Sequence, residues 1–130
     1  MKIYFGSIEK ESLKNDNFRK VLFTGKHEQL VVMSLLPKEE IGNEVHKNVD
    51  QFFRIEGGEA KLIINGKTKG IAKDGDSFLV PAGTWHNVVN NSKTKKVKLY
   101  TIYSPPNHPK GTIHKTKAEA DKAEEGEHHK

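Results

Sequence analysis

The stretch GDSFLVPAGTWHNVVN, residues 75–90, sets glycine, proline, histidine and asparagine at fixed intervals inside an apolar run with strand character. Pro81-Ala82-Gly83 predicts a bend between SFLV and WHNVV, because proline fixes φ and glycine accepts backbone angles that other residues resist. Asp74-Gly75 marks the tight turn before it. Asn90 is placed to tie down the strand end by side-chain to backbone hydrogen bonds. His86 has no such architectural duty and is the candidate for chemistry. A single histidine on a strand is more often a packed or surface residue, so a ligand role requires partners from another part of the chain.

Outward from this stretch, FRKVLFT (18–24), QLVVMSLLP (29–37), QFFRIEG (51–57), AKLIING (60–66), SFLVP (77–81), HNVVN (86–90) and KVKLYTIYS (96–104) are rich in β-branched and aromatic residues. Turn signals separate them at a spacing of about ten residues, which predicts an all-β fold, a small antiparallel barrel or sandwich. Asn65-Gly66, between KLII and KTKGIA, predicts a type I′ hairpin. Three prolines in SPPNHPKG (104–111) exclude a central strand, so the barrel is expected over residues 1–104. Residues 105–130 then read as a proline-containing segment and a short helix, with Thr116 as N-cap, Glu119 as its capping-box partner and fraying near Gly126. Alanines are the helix's only apolar residues, so a solvated tail is expected, ending in a disordered EHHK.

At 130 residues the chain is about one domain, large enough to bury roughly two thirds of its unfolded surface. The absence of cysteine excludes disulfides, iron–sulfur clusters, thiolate zinc sites and cysteine nucleophiles. Any metal must sit on His, Asp, Glu, Asn or Gln. No apolar run approaches the roughly 18 residues of a membrane helix, and MKIYFGSIEKESLK has no signal-peptide core, so a cytoplasmic protein without a membrane partner is expected. The net charge of +5 lies within residues 1–104, since five basic residues balance five acidic ones from 105 onward. The densest cluster, Lys93, Lys95, Lys96 and Lys98, has no aromatic platform beside it, so it reads as solvated lysines and no nucleic-acid partner is expected.

Residues 75–90 resemble, at every defined position, the second motif of the cupin superfamily, G-x5-P-x-G-x2-H-x3-N, through Gly75, Pro81, Gly83, His86 and Asn90. The resemblance extends over about residues 28–104 and implies a jelly-roll barrel. The first cupin motif, G-x5-H-x-H-x3,4-E-x6-G, is matched more loosely by GNEVHKNVDQFFRIEGGEA (42–60). His46 stands for its first histidine, Asn48 replaces the second, and the glutamate position falls on Gln51. Side-chain alternation puts Gln51, Phe53 and Ile55 on one face and Asp50, Phe52, Arg54 and Glu56 on the other. The first face is the interior, since the alternative buries Arg54 and Glu56.

The resemblance therefore implies a metal site of His46, Gln51 and His86, with Asn48 as a fourth ligand and Asp50 as the second choice if the turn bulges. Two imidazoles with oxygen donors suit a divalent first-row ion such as Zn, Mn, Fe or Ni. A neutral glutamine carbonyl makes a stronger Lewis acid but a weaker metal trap than a carboxylate. His27 reads as a surface turn residue. His108 and His114 flank the proline segment and reach the pocket only if that segment folds back across the barrel mouth. Trp85 is expected to face away from His86 and to be covered by a sheet or another subunit.

The chain resembles small single-domain cupins related to mannose-6-phosphate isomerase, which implies an ion that polarises a sugar carbonyl while a base moves a proton, with Glu44 as that base. Three functions stay open at this point. They are a metal-dependent enzyme on a small polar substrate, isomerase or oxygenase; a non-catalytic barrel that binds a small molecule; and a structural role. A homodimer is expected, with KIYFG adding a strand to a neighbour's sheet.

Overall fold

The computed structural model describes residues 1–128, with side chains through residue 125. Among the described residues, nine strands form two antiparallel sheets that face each other across one core. In chain order the strands are β1 (Arg19–Thr24), β2 (Gln29–Leu35), β3 (Asp50–Gly57), β4 (Ala60–Ile64), β5 (Lys67–Ala72), β6 (Ser77–Val80), β7 (His86–Val89), β8 (Val97–Ser104) and β9 (Ile113–His114). The larger sheet has the order β6-β3-β8-β2-β1-β9 and the smaller one β5-β4-β7. This is the antiparallel barrel expected from the strand pattern, in the jelly-roll form that the motif resemblance implied. Asn65 and Gly66 both take positive φ, as a type I′ turn requires, and join β4 to β5.

Alternation along the strands builds the core. On β8, Val97, Leu99, Thr101 and Tyr103 point inward and are buried, while the residues between them are half-exposed. On β3, Gln51, Phe53 and Ile55 are buried as the parity requires. Glu56 breaks the expectation and is also buried, because the register against β8 shifts between Ile55 and Gly57, and Arg54 Nε pairs with Glu56 Oε1 at 2.7 Å. Val31, Met33, Leu35, Phe53, Ile55, Val88 and Leu99 are fully enclosed.

Asn90 does the work expected of it. Its amide is buried and donates to the carbonyls of Leu35 (3.2 Å), Leu36 (3.0 Å) and Lys95 (2.8 Å), while its oxygen accepts from Ser92 N (3.0 Å). The end of β7 is thereby fastened to the end of β2 and to the loop before β8.

Three features depart from the sequence reading. Helix α1 (Ile8–Lys14), capped by Ser7, packs on the larger sheet, and residues 1–5 form no strand within this chain, leaving Met1, Ile3 and Phe5 exposed. The lysine cluster is not simply solvated, since Lys96 and Lys98 reach Asp16 at 3.2 and 2.9 Å. Residues beyond 104 are not a detached tail. β9 pairs with Arg19 and Lys20 of β1, and helix α2 (Lys117–His128) docks Ala120 into the core at 1% exposure. The predicted cap is present, with Glu119 N donating to Thr116 Oγ1 and Lys115 N donating to Glu119 Oε2. The helix runs past Gly126 instead of fraying there, so Glu127 and His128 of EHHK are helical, while His129 and Lys130 lie outside the described residues.

Replacing Asn90 by alanine strands several buried carbonyls and is expected to destabilise the fold by about 2–3 kcal/mol in a denaturant titration. The neighbouring exposed Asn91→Ala is expected to change stability by less than about 0.5 kcal/mol. Equal effects at the two positions would contradict the stapling role of Asn90.

Candidate metal centre

The site begins with a pair of backbone hydrogen bonds outside the regular strands. Glu44 N donates to His86 O and His86 N donates to Glu44 O, both at 2.9 Å. Residues opposed in this way carry their side chains on the same face at close range. The carboxylate and the imidazole are therefore neighbours by backbone geometry. His46, two residues beyond Glu44, is held by its carbonyl, which accepts from Gly83 N at 2.8 Å. Gly83 takes φ 82°, an angle that suits glycine, so the Pro81–Gly83 bend is also what fastens the His46 segment.

The result is a cluster of Glu44, His46 and His86 whose ligand atoms all lie within 4.8 Å of one another. Glu44 Oε1 stands 3.4 Å from His46 Nε2 and 3.6 Å from His86 Nε2, and the two rings are 5.7 Å apart at their centroids. Donors sharing one ion at about 2.1 Å each lie within about 4.2 Å of one another, so this spacing is close to that of a loaded site.

Hydrogen bonding aims the donors. His86 is 2% exposed, and its Nδ1 donates to the Thr84 carbonyl at 2.9 Å, which leaves the Nε2 lone pair directed at the cluster. Gln51, 1% exposed, donates from Nε2 to Thr101 Oγ1 at 3.0 Å, and that hydroxyl donates to Phe52 O at 2.8 Å. The chain fixes the amide so that Oε1 is the end left over. Glu44 Oε1, His46 Nε2, His86 Nε2 and Gln51 Oε1 are all buried without a hydrogen-bond partner. Buried polar atoms are nearly always satisfied, so a cluster of such atoms fits a cation. The His/Glu group could hold a metal ion.

Electrostatics agree with this geometry. Burial by itself would raise the Glu44 carboxyl, but His46 and His86 outweigh it and hold it down to about 2. Burial would lower His86, but the Glu44 carboxylate and the Thr84 carbonyl leave it raised. Farther out, burial and the charge of Arg19 push His108 down to about 3, so its ring is neutral.

The residues expected at the site divide clearly. His46 and His86 stand together in the cluster, and Gln51 is buried on the interior face of β3. Asn48 is exposed in the Lys47–Asn48 turn and stands outside the cluster, because the chain leaves extended geometry immediately after His46. Asp50 is also exposed, and its Oδ1 accepts from Ala82 N at 2.8 Å, so it secures the Pro81–Gly83 bend. Glu44, expected as a base from its shared parity with His46, lies between the two imidazoles. Trp85 is half-exposed at the rim of a cavity of about 390 Å³ next to the cluster, and His108 and Glu124 reach that cavity from the C-terminal segment. His27 is exposed in a turn, and His114 lies at the edge of the larger sheet, 3.4 Å from Arg19 Nη1.

The model of the cupin domain matches residues 31–103. The uncharacterized protein YrkC of Bacillus subtilis is 49% identical over 125 residues, which cover 92% of this chain and 66% of that protein, so the chain spans just under two thirds of that relative's length. An uncharacterized protein of Acanthamoeba polyphaga mimivirus is 47% identical over 114 residues, covering 85% of this chain and 71% of the relative. A crystal structure from Bacillus halodurans superposes with a TM-score of 0.89 at 41% identity, covering 93% of this chain and 95% of that one. With the barrel, the second motif and these relatives in agreement, the chain belongs to the cupin family.

Proposed function

We propose that the chain is a metal-dependent enzyme acting on a small polar substrate, with Glu44, His46 and His86 holding a divalent ion and Gln51 as the fourth protein donor. The observation that carries this reading is the convergence of three buried ligand atoms without hydrogen-bond partners, from Glu44, His46 and His86, beside a cavity. When bound, the ion supplies Lewis-acid polarisation of a substrate oxygen. The chain's own contribution is orientation: Thr84 sets the tautomer of His86, Thr101 sets the rotation of the Gln51 amide, and Phe53 packs against the His86 ring at 6.1 Å.

Glu44 fits a ligand role better than the role of a free base, because its carboxylate is held low between two imidazoles. A sugar-phosphate substrate of the mannose-6-phosphate isomerase kind gains no support from the lining, since among the described residues no lysine or arginine borders the cavity. A non-catalytic ligand-binding barrel remains the second reading, favoured by the same cavity. It differs in one outcome, because chelation would then abolish ligand binding with no turnover to lose.

Two measurements test the site. His86 is raised and must lose its proton to coordinate, so metal affinity is expected to fall by about tenfold per unit as pH drops below its folded pKa. A chelator-competition titration between pH 8 and 5 checks this, and constant affinity across the range would contradict ligation by His86. Replacing Gln51 by glutamate adds a negative charge at an oxygen already aimed inward, and is expected to raise affinity by tenfold or more. Slower metal loss to EDTA is the readout. An unchanged loss rate would remove Gln51 from the donor set.

A further inference from the structure

The barrel builds only part of the cavity at the metal cluster. Glu44, His46 and Trp85 border it from the barrel, while Asn107, His108 and Glu124 come from the C-terminal segment. Gln29, fully buried on β2, sets where that segment lies. Its Oε1 accepts from Asn107 N (3.0 Å) and His108 N (2.9 Å), and its Nε2 donates to His108 O (2.7 Å). A buried amide is costly unless satisfied, so these bonds hold the His108 backbone beside the cavity.

The proton of the His108 ring is also placed by its neighbours. Burial and the charge of Arg19 keep the ring neutral, so one of its nitrogens carries the hydrogen and the other accepts. Nε2 stands 3.2 Å from the Tyr103 hydroxyl. Burial keeps that phenol protonated, and the Arg19 guanidinium lies against its oxygen. A guanidinium only donates, so it takes up the oxygen's lone pairs and turns the phenolic hydrogen toward an acceptor. His108 Nε2 is that acceptor, and the ring's own hydrogen then sits on Nδ1. Nδ1 makes no hydrogen bond among the described residues and is not one of their sealed polar atoms, so it opens on the cavity that His108 lines.

We propose that His108 is the ligand-reading residue of this pocket, donating from Nδ1–H to an oxygen of a small monocarboxylate bound at the metal cluster. The proposal rests on the metal-binding reading above and deepens it to the class of ligand. A donor on a neutral ring selects an acceptor oxygen, and a carboxylate oxygen makes the stronger hydrogen bond. Charge favours the same choice. A divalent ion on the single carboxylate of Glu44 leaves one positive charge in excess, and the Arg19 guanidinium is balanced by Glu124 Oε1 at 3.5 Å. A monoanion cancels that excess. An amide of the same shape brings no charge and sets an N–H donor against the Nδ1–H donor.

The test uses full-length protein loaded with Zn²⁺, with lactate as the carboxylate probe and lactamide as its neutral counterpart, both followed by calorimetry. Wild type is expected to bind lactate at least about tenfold more tightly than lactamide. His108→Ala is expected to weaken lactate by about tenfold and leave lactamide within about twofold. His108→Asn, whose amide puts an N–H donor near the Nδ1 position, is expected to recover most of the loss. Thermal melts verify that the variants fold. Long-range ¹H–¹⁵N correlation spectra of wild type read the tautomer directly, with the His108 hydrogen expected on Nδ1. A hydrogen on Nε2, a zinc-loaded wild type that binds lactate no better than lactamide, or unchanged lactate affinity in His108→Ala would each overturn the proposal. Zinc content of the same samples separates the two ideas: wild type that takes up no zinc overturns the metal reading, and zinc-loaded protein with any of those three results overturns only the role of His108.

Discussion

A carboxylate held between two imidazoles inside a β-barrel is an arrangement that the surrounding protein must either neutralise or use. Glu44, His46 and His86 are brought together by backbone pairing, so the cluster cannot relax apart without breaking the two hydrogen bonds between Glu44 and His86. Their three ligand atoms are left without hydrogen-bond partners, in a core whose other buried side-chain groups are mostly paired. A divalent cation compensates the carboxylate and satisfies the lone pairs together. Without it, the neighbouring imidazoles hold the Glu44 carboxyl low and the carboxylate raises His86.

The rest of the structure can be understood as support for that point. The Pro81–Gly83 bend starts β7 at His86 and also anchors the His46 carbonyl through Gly83 N. Asp50 caps the same bend from β3, so the segments carrying His46, Gln51 and His86 are tied together at one place. Asn90 closes the far end of β7. The C-terminal segment then lies over the cavity, held by Gln29 and Arg19. Rigid placement of this kind keeps ligands in geometry with little reorganisation.

The parts of this architecture that local chemistry dictates were legible in the sequence. Strand positions, the Asn65-Gly66 hairpin, the stapling role of Asn90 and the inward face of Gln51 follow from alternation, turn residues and hydrogen-bonding capacity. What depends on distant pairing was not legible. Glu44 read as a base because nothing local shows that it is bridged to His86, 42 positions away by residue number. Asn48 looked available because the turn at Lys47–Asn48 is invisible in a pattern that continues extended. The returning segment was missed since its docking relies on one alanine, a two-residue strand and polar anchors on β1 and β2. A glutamine and an arginine at inward positions of those strands, Gln29 and Arg19, were the available signal, because an interior strand face has no use for them unless something comes back to meet them. Helix α1 is seven residues long and gives too little periodicity to find.

The central claim is that Glu44, His46 and His86 grip one ion, and the most direct measurement is elemental analysis of the untagged protein, purified without chelator, beside the double variant His46→Ala/His86→Ala. The account predicts about one equivalent of a divalent first-row metal per folded wild-type chain and none in the variant. Equal metal in both proteins, or a wild type that stays empty after incubation with Zn²⁺, Mn²⁺, Fe²⁺ and Ni²⁺, would contradict it.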